Sequence, residues 1–375
     1  MPTPRRAALV LGTAFVAPFA AIAPANAAAV PDPFGTCAPT WHLVNTETFQ
    51  GADALTRSQG ATTDGTSWYF SWQGGIQRTM DVNGTYVPEA AGTWAPQQAV
   101  APSGDPTGQN HFGNNHIGDI DYYDGTIYAP FEDGGEGNLN NPEYQTPYIE
   151  TYDPTTLRNT GAFHLDPKYH DAGVPWVAID GPRRELITAE WDMPNDRLNI
   201  YNLPLTADSS GKGLTPDRIL KLVYPPELGP HFHLGRIQGA KVYGDTLYAT
   251  RDRNDDPSRP DQVAVWAISL KTGDVKELFT MDPGVPDELE GLALKPMPDG
   301  SLLHLLIVVN NDDTSKEHVE FKHFGPVADP TCFPIGPGDT VGSRSGRHSC
   351  RDHGFRREVA SPSTQQPPLT YCTAL

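Results

Sequence analysis

The chain has 375 residues and a formal net charge of −19. That charge excludes the basic footprint a nucleic-acid binder needs. Its 36 glycines and 37 prolines exclude long helices, because glycine costs backbone entropy and proline lacks a donor. Hydrophobic residues at 38% still supply a core, so wholesale disorder is excluded as well.

The first 27 residues read as an export signal. Arg5 and Arg6 form a charged start, an apolar stretch follows, and Ala25-Asn26-Ala27 has the small-x-small pattern of a cleavage site. Cleavage there takes the charge from −19 to −21, since only the two arginines are lost. No later segment is long and apolar enough for a membrane-spanning helix. An exported, monomeric protein is expected. Cys37, Cys332, Cys350 and Cys372 suit an oxidising compartment, and no CxxC pair points to a zinc ribbon.

Repeats organise the middle of the chain. Asp64-Gly65, Asp124-Gly125, Asp180-Gly181, Gly244-Asp245 and Asp299-Gly300 recur at spacings of 60, 56, 64 and 55 residues. Such dipeptides between apolar runs are the strongest short-range hairpin signal. The strands that follow them are expected at 67–72, 126–131, 185–189, 246–250 and 302–309. Further strands are expected at 148–152, 198–201, 263–270 and 319–324. The pattern predicts an all-β fold, a β-propeller over 28–335. Five blades are favoured, and six if a long loop hides a degenerate one. A propeller must close, or it leaves unpaired edges. The run at 42–46 is therefore expected to enter the last blade, with a Cys37–Cys332 bridge stapling the seam. The tail from 336 holds five arginines and almost no apolar periodicity, and is expected to be poorly ordered.

In a hairpin, the start of the first strand and the end of the second share one end. Aligning the repeats on their turns therefore gathers one set of residues at one mouth of the channel. First-strand starts bring Arg57, Gln59, His116, Asp119, Trp176, Arg236, Gln238, Glu288 and Glu290. Second-strand ends bring Trp72, Glu132, Glu190, Arg251, Asp252 and Asn310. Buried charges must be paired or must hold something. Glu132, Glu190, Glu290, His116 and Asp119 are the candidate acid/base groups. Arg57, Gln59, Trp176, Arg236, Gln238 and Arg251 are the candidate ligand-binding groups. The competing reading is a set of ion pairs lining a solvated channel. Outside the mouth, His231-x-His233 and the Asn/Asp runs at 253–256 and 310–313 read better as loop and turn chemistry than as metal sites. No GxSxG, P-loop, HExxH or GxGxxG occurs.

The runs 116–133 and 288–312 resemble blade hairpins of the strictosidine synthase-like, gluconolactonase-like and NHL-like propellers. The resemblance implies a funnel-mouth site, often with a divalent cation such as calcium. Glu132, Glu190, Glu290 and Asn310 are the matching positions, although three arginines at the same mouth depart from a purely acidic cup. Two functions follow. One is a hydrolase or lyase acting on a small polar molecule or a glycan. The other is a non-catalytic propeller that binds a ligand or a protein.

Overall fold

The structure is a computed structural model that describes residues 32–35, 38–82, 85–91, 116–132, 147–170, 173–193, 195–207, 212–230, 232–252, 263–281, 287–310, 316–327, 340–343, 355–359 and 370–374. The expected signal at 1–27, Cys37, Cys332, Cys350, Asp133, His231, Asn311 and Asp312 lie outside the described residues, as does the side chain of Cys372.

Strand β1 (Thr40–Gln50) opens the described fold and a single helical turn, Ala52–Leu55, follows. Blade I is β2 (Gly60–Thr63), β3 (Ser67–Trp72), β4 (Gly75–Val82) and β5 (Thr85–Ala91). Blade II has a split inner strand, β6 (His116–Ile117) and β7 (Asp121–Tyr123), both paired with β8 (Thr126–Glu132); β9 (Tyr148–Tyr152) and β10 (Asn159–His164) complete it. Blade III is β11 (Ala178–Asp180), β12 (Glu185–Thr188), β13 (Arg197–Asn202) and β14 (Arg218–Lys221). Blade IV is β15 (Ile237–Tyr243), β16 (Thr246–Arg251), β17 (Ala264–Ser269) and β18 (Val275–Thr280). Blade V is β19 (Glu288–Leu294), β20 (Leu303–Val309) and β21 (His318–Val327), with β1 as its outer strand. The inner strands touch in sequence, β2 to β7, β7 to β11, β11 to β15, β15 to β19 and β19 back to β2. The fold is thus a closed five-bladed β-propeller. The closing strand runs further than the expected 42–46, and Thr40 to Gln50 pair antiparallel with β21. Within the tail, β22 (Thr340–Ser343), β23 (Phe355–Val359) and β24 (Thr370–Ala374) form a separate three-stranded sheet.

Each blade has neighbours on both faces, so its strands bury both sets of alternating side chains. In blade III, Ala178, Ile187 and Ile200 pack towards blade IV, while Ile179, Leu186 and Tyr201 pack towards blade II. The blade V–I interface is aromatic. Trp68 meets Phe321 edge-on at 5.5 Å, and Phe70 meets Phe321 the same way at 5.5 Å.

The axis is pinched to backbone contact. A Cβ on Gly239 would lie 2.5 Å from Gly291 Cα, and one on Gly60 would lie 2.5 Å from Asp119 Cα. Only glycine fits such an approach. Asp119 plugs the pinch. One carboxylate oxygen accepts the Ala61 N–H at 3.1 Å, and the other accepts the Ala240 N–H at 3.1 Å. Its own backbone bonds to blade III, with its N–H on Pro175 O and its C=O receiving the Val177 N–H. A single residue therefore ties four blades together. The central channel is a funnel closed at the level of Asp119.

Candidate functional site

The mouth of this funnel lies at the end away from the Asp-Gly turns, at the starts of the inner strands. Glu288 and Glu290 stand two apart on β19, where the register shifts between Leu289 and Leu292. Their carboxyls are hydrogen-bonded to each other. Gln59, from the lead-in to β2, donates Nε2–H to Glu290 Oε1 at 3.4 Å. Asp252, just past β16, faces both glutamates. It is buried, and its Oδ1 accepts the Leu289 N–H at 3.2 Å. Arg236 and His116 bring positive charge towards Glu288. Arg236 holds a left-handed backbone, φ 58°, and its guanidinium lies 5.6 Å over the Trp191 ring. Blades I, II, IV and V thus converge on one acid pair.

The electrostatics are unequal within that pair. Burial, then the charges of Glu288 and Asp252, push Glu290 well above the usual carboxylate range. Glu288 is pushed up less, because its bond with Glu290 and the charges of Arg236 and His116 favour its ionised form. Two adjacent carboxyls in a low-dielectric site cannot both ionise, so the pair keeps one proton. Glu290 holds it.

The other expected residues are distributed differently. Glu132 Oε2 accepts the Val174 N–H at 2.6 Å, and its Oε1 lies 3.4 Å from His116 Nδ1. Glu190 is buried with its carboxylate 3.6 Å from Arg197 of its own blade. Asn310 donates its N–H to Asp287 Oδ1 at 2.8 Å. Among the described residues, no group of three or more His, Cys, Asp or Glu has metal-holding geometry. The calcium set of Glu132, Glu190, Glu290 and Asn310 does not assemble there. Asp119 is the plug of the channel floor and is fully buried. Gln238 is half-buried at the start of β15.

Arg57, Trp176 and Arg251 were expected to meet a ligand, and the structure puts them into packing. Arg57 is 1% exposed; it lies 4.5 Å over the Phe49 ring and bonds Gln77 Oε1 at 3.0 Å and Tyr86 O at 3.1 Å. Apolar surroundings draw in a guanidinium whose flat faces stack on rings while its edge donors find acceptors. Trp176 is wholly buried in the blade III–IV core. Arg251 is buried over Phe232 at 5.6 Å. The repeat alignment brings Glu288 and Asp252 to the mouth without setting them apart from its other polar residues. The Glu-x-Glu spacing was the signal for the first. A pocket of about 470 Å³ also opens on the outer part of blade III, lined in part by Tyr201, Asn202, Lys212, Thr215 and Asp217; no axial carboxyl lines it.

No protein-family model matches the chain, and no curated protein does. Among solved structures it is similar to a glutaminyl cyclase from Myxococcus xanthus, at 10% identity over 77% of this chain and 98% of that one, with a TM-score of 0.44. It is also similar to a GH43 endo-arabinanase from Bacillus licheniformis, at 12% identity over 74% and 96%, with a TM-score of 0.42. A Trichoderma reesei carbohydrate-active enzyme of family AA12 gives 12% identity over 73% and 82%, with a TM-score of 0.42. Likenesses this distant carry no argument about what this chain binds or catalyses. Among the described residues, no helix is long and apolar enough to cross a membrane.

Proposed function

We propose that the funnel mouth is the active site of a hydrolase or lyase acting on a small polar molecule or a glycan. The observation that carries this is the Glu288–Glu290 pair, two carboxyls facing each other beside Asp252 and Gln59 at the starts of the inner strands. Such a pair supplies an acid and a base at one point. Glu290 gives its proton to a leaving oxygen. Glu288, which burial pushes up less than Glu290 and whose ionised form Arg236 favours, takes a proton from water or from a substrate carbon. Gln59 and Asp252 orient the pair. The carboxyls touch, so this pair lacks the wider separation of about 5–10 Å that glycosidases use. If a glycan is the substrate, a third carboxylate such as Glu132 must take part. Export and a monomeric state belong to the same proposal; export rests on the sequence features at 1–27, and calcium is left to the EDTA arm of the test because its expected ligands do not assemble among the described residues.

The test is a turnover screen of lactones, esters and glycosides with wild type, E290Q and E288Q, in calcium and in EDTA. Any hydrolysis or elimination found should fall by about 10²- to 10⁴-fold in E290Q, which keeps the shape but cannot transfer the proton. The wild-type pH profile should be bell-shaped, lost in acid as Glu288 is protonated and in alkali as Glu290 ionises. Full turnover in E290Q sinks this assignment. A ligand that raises the melting temperature of wild type without being consumed shows a binding propeller instead.

A further inference from the structure

Far from the mouth, two buried histidines meet at the seam of the ring. His304 on β20 and His323 on β21 are cross-strand partners. They are 0% and 3% exposed, and their Nδ1 atoms lie 2.6 Å apart. The remaining ring nitrogens settle which atom carries which proton. His304 Nε2 lies 2.8 Å from Lys295 O, a carbonyl that can only accept, so Nε2 carries the hydrogen. A neutral His304 then has a bare Nδ1, and His323 must donate its Nδ1–H to it. The outer nitrogen of His323 faces strand β1, where Glu47 Oε1 lies 3.6 Å away. The chain thus runs from β20 through β21 to β1, the strand that closes the propeller.

We propose that Glu47, His323 and His304 form an acid-released latch, which holds β1 in the last blade while His304 Nδ1 is bare and frees it when that atom is protonated. A proton on the outer nitrogen of His323 meets the Glu47 carboxylate and tightens the seam. Once His323 carries protons on both nitrogens, a further proton on His304 Nδ1 sets two N–H donors against each other. The groups facing the pair are Glu47 from β1, Lys295 from beyond the end of β19 and Asp299 from the β19–β20 turn. Trp68 presents a ring edge from β3. Lys322 and Glu320 pair with each other at 2.9 Å and alternate to the other side of β21. Burial and the neighbouring His323 drive His304 down to about 3 in the folded protein, against about 6.5 when unfolded. The folded chain then refuses a proton that the unfolded chain accepts. Stability falls as pH drops below about 6.5, by up to about tenfold per pH unit in the opening equilibrium.

The experiment is hydrogen exchange of the full chain at pH 7.5 and pH 4.5, corrected for intrinsic rates and read strand by strand. β1 and β21 amides should open at least about tenfold more readily at pH 4.5, with β8 and β16 amides unchanged. H304Q should abolish that difference. Should H304Q fail to fold, E47Q serves instead, because it leaves the buried pair intact. Without the carboxylate, β1 should open at a higher pH than in wild type. Equal acid-induced opening of all five blades overturns the latch. So does a β1 profile that H304Q, or in its place E47Q, leaves unchanged.

Discussion

Lys241 Nζ lies 2.5 Å from Asp119 Oδ2, and both side chains are buried on the propeller axis. The contact joins β15 of blade IV to the split inner strand of blade II. Burial pushes Asp119 up to about 7 against the pull of Lys241, so pH 8 favours its ionised form. Asp119→Asn turns an amide N–H towards donors and leaves Lys241 with a poorer partner. Removing one member of a buried pair costs about 3–5 kcal/mol. Urea unfolding at pH 8 should show that loss, and a midpoint like that of wild type would show that the plug is dispensable.

Gly239→Ala and Gly291→Ala place a methyl group where backbone already sits. Both should lower the melting temperature by 10 °C or more, the scale of a loss of several kcal/mol. Gly244→Asn is the control. That glycine has φ 62° with nothing within 4 Å, and asparagine tolerates the left-handed region. Equal losses in all three would mean the axis is looser than the contacts imply.

Arg57→Lys keeps the charge and loses the planar fork that reaches Gln77 and the Tyr86 carbonyl. A cost of about 2–4 kcal/mol is expected, mostly from unpaired buried acceptors. Ligand-induced thermal shifts should be unaltered once the lower starting point is allowed for. A selective loss of ligand binding would return Arg57 to the mouth.

Glu150 offers a pH test. It is buried, accepts Tyr152 O–H at 2.5 Å and Asn159 N–H at 2.7 Å, and burial raises it to about 7. A carboxyl raised above its unfolded value holds its proton more tightly when folded. Its contribution is complete below about 4.5 and fades as pH climbs to 7, by up to about 3 kcal/mol. Glu150→Gln imitates the neutral acid and lacks this slope. The variant should therefore gain on the wild type from pH 5 to pH 8, by up to about 3 kcal/mol. A constant gap would show that Glu150 is ionised throughout.

Cys37→Ala should cost a few kcal/mol if the residue is bridged to Cys332 across the seam. A non-reduced digest in which both thiols take up a label would end that proposal.

The ring was legible in the sequence because its cause is local. Each Asp-Gly or Gly-Asp turn fixes a hairpin, and all five dipeptides lie between the first two strands of a blade or at the edge of that turn. The strands at 67–72 and 148–152 fall where the pattern puts them. The direction of long side chains was less legible. Repeat alignment brings Arg57, Arg236 and Arg251 to the same end, but Phe49, Trp191 and Phe232 draw their guanidiniums apart. Those rings lie on other strands or connections, and no spacing rule links them to the arginines. Asp119 was legible as a charged residue at the axis. Its use as a plug depends on Gly60, Gly239 and Gly291, the glycines of three other blades.

The last blade draws its outer strand from the beginning of the chain and its other three from the end. Thr40 and Val327 are paired across the seam, so the two ends of the ring lie side by side. A short linker could join them, and new termini opened at Asp124-Gly125 would leave every strand pairing intact. Such a circular permutant would carry blade V as one continuous hairpin series. It would no longer have to wait for the end of synthesis before its first strand found a partner.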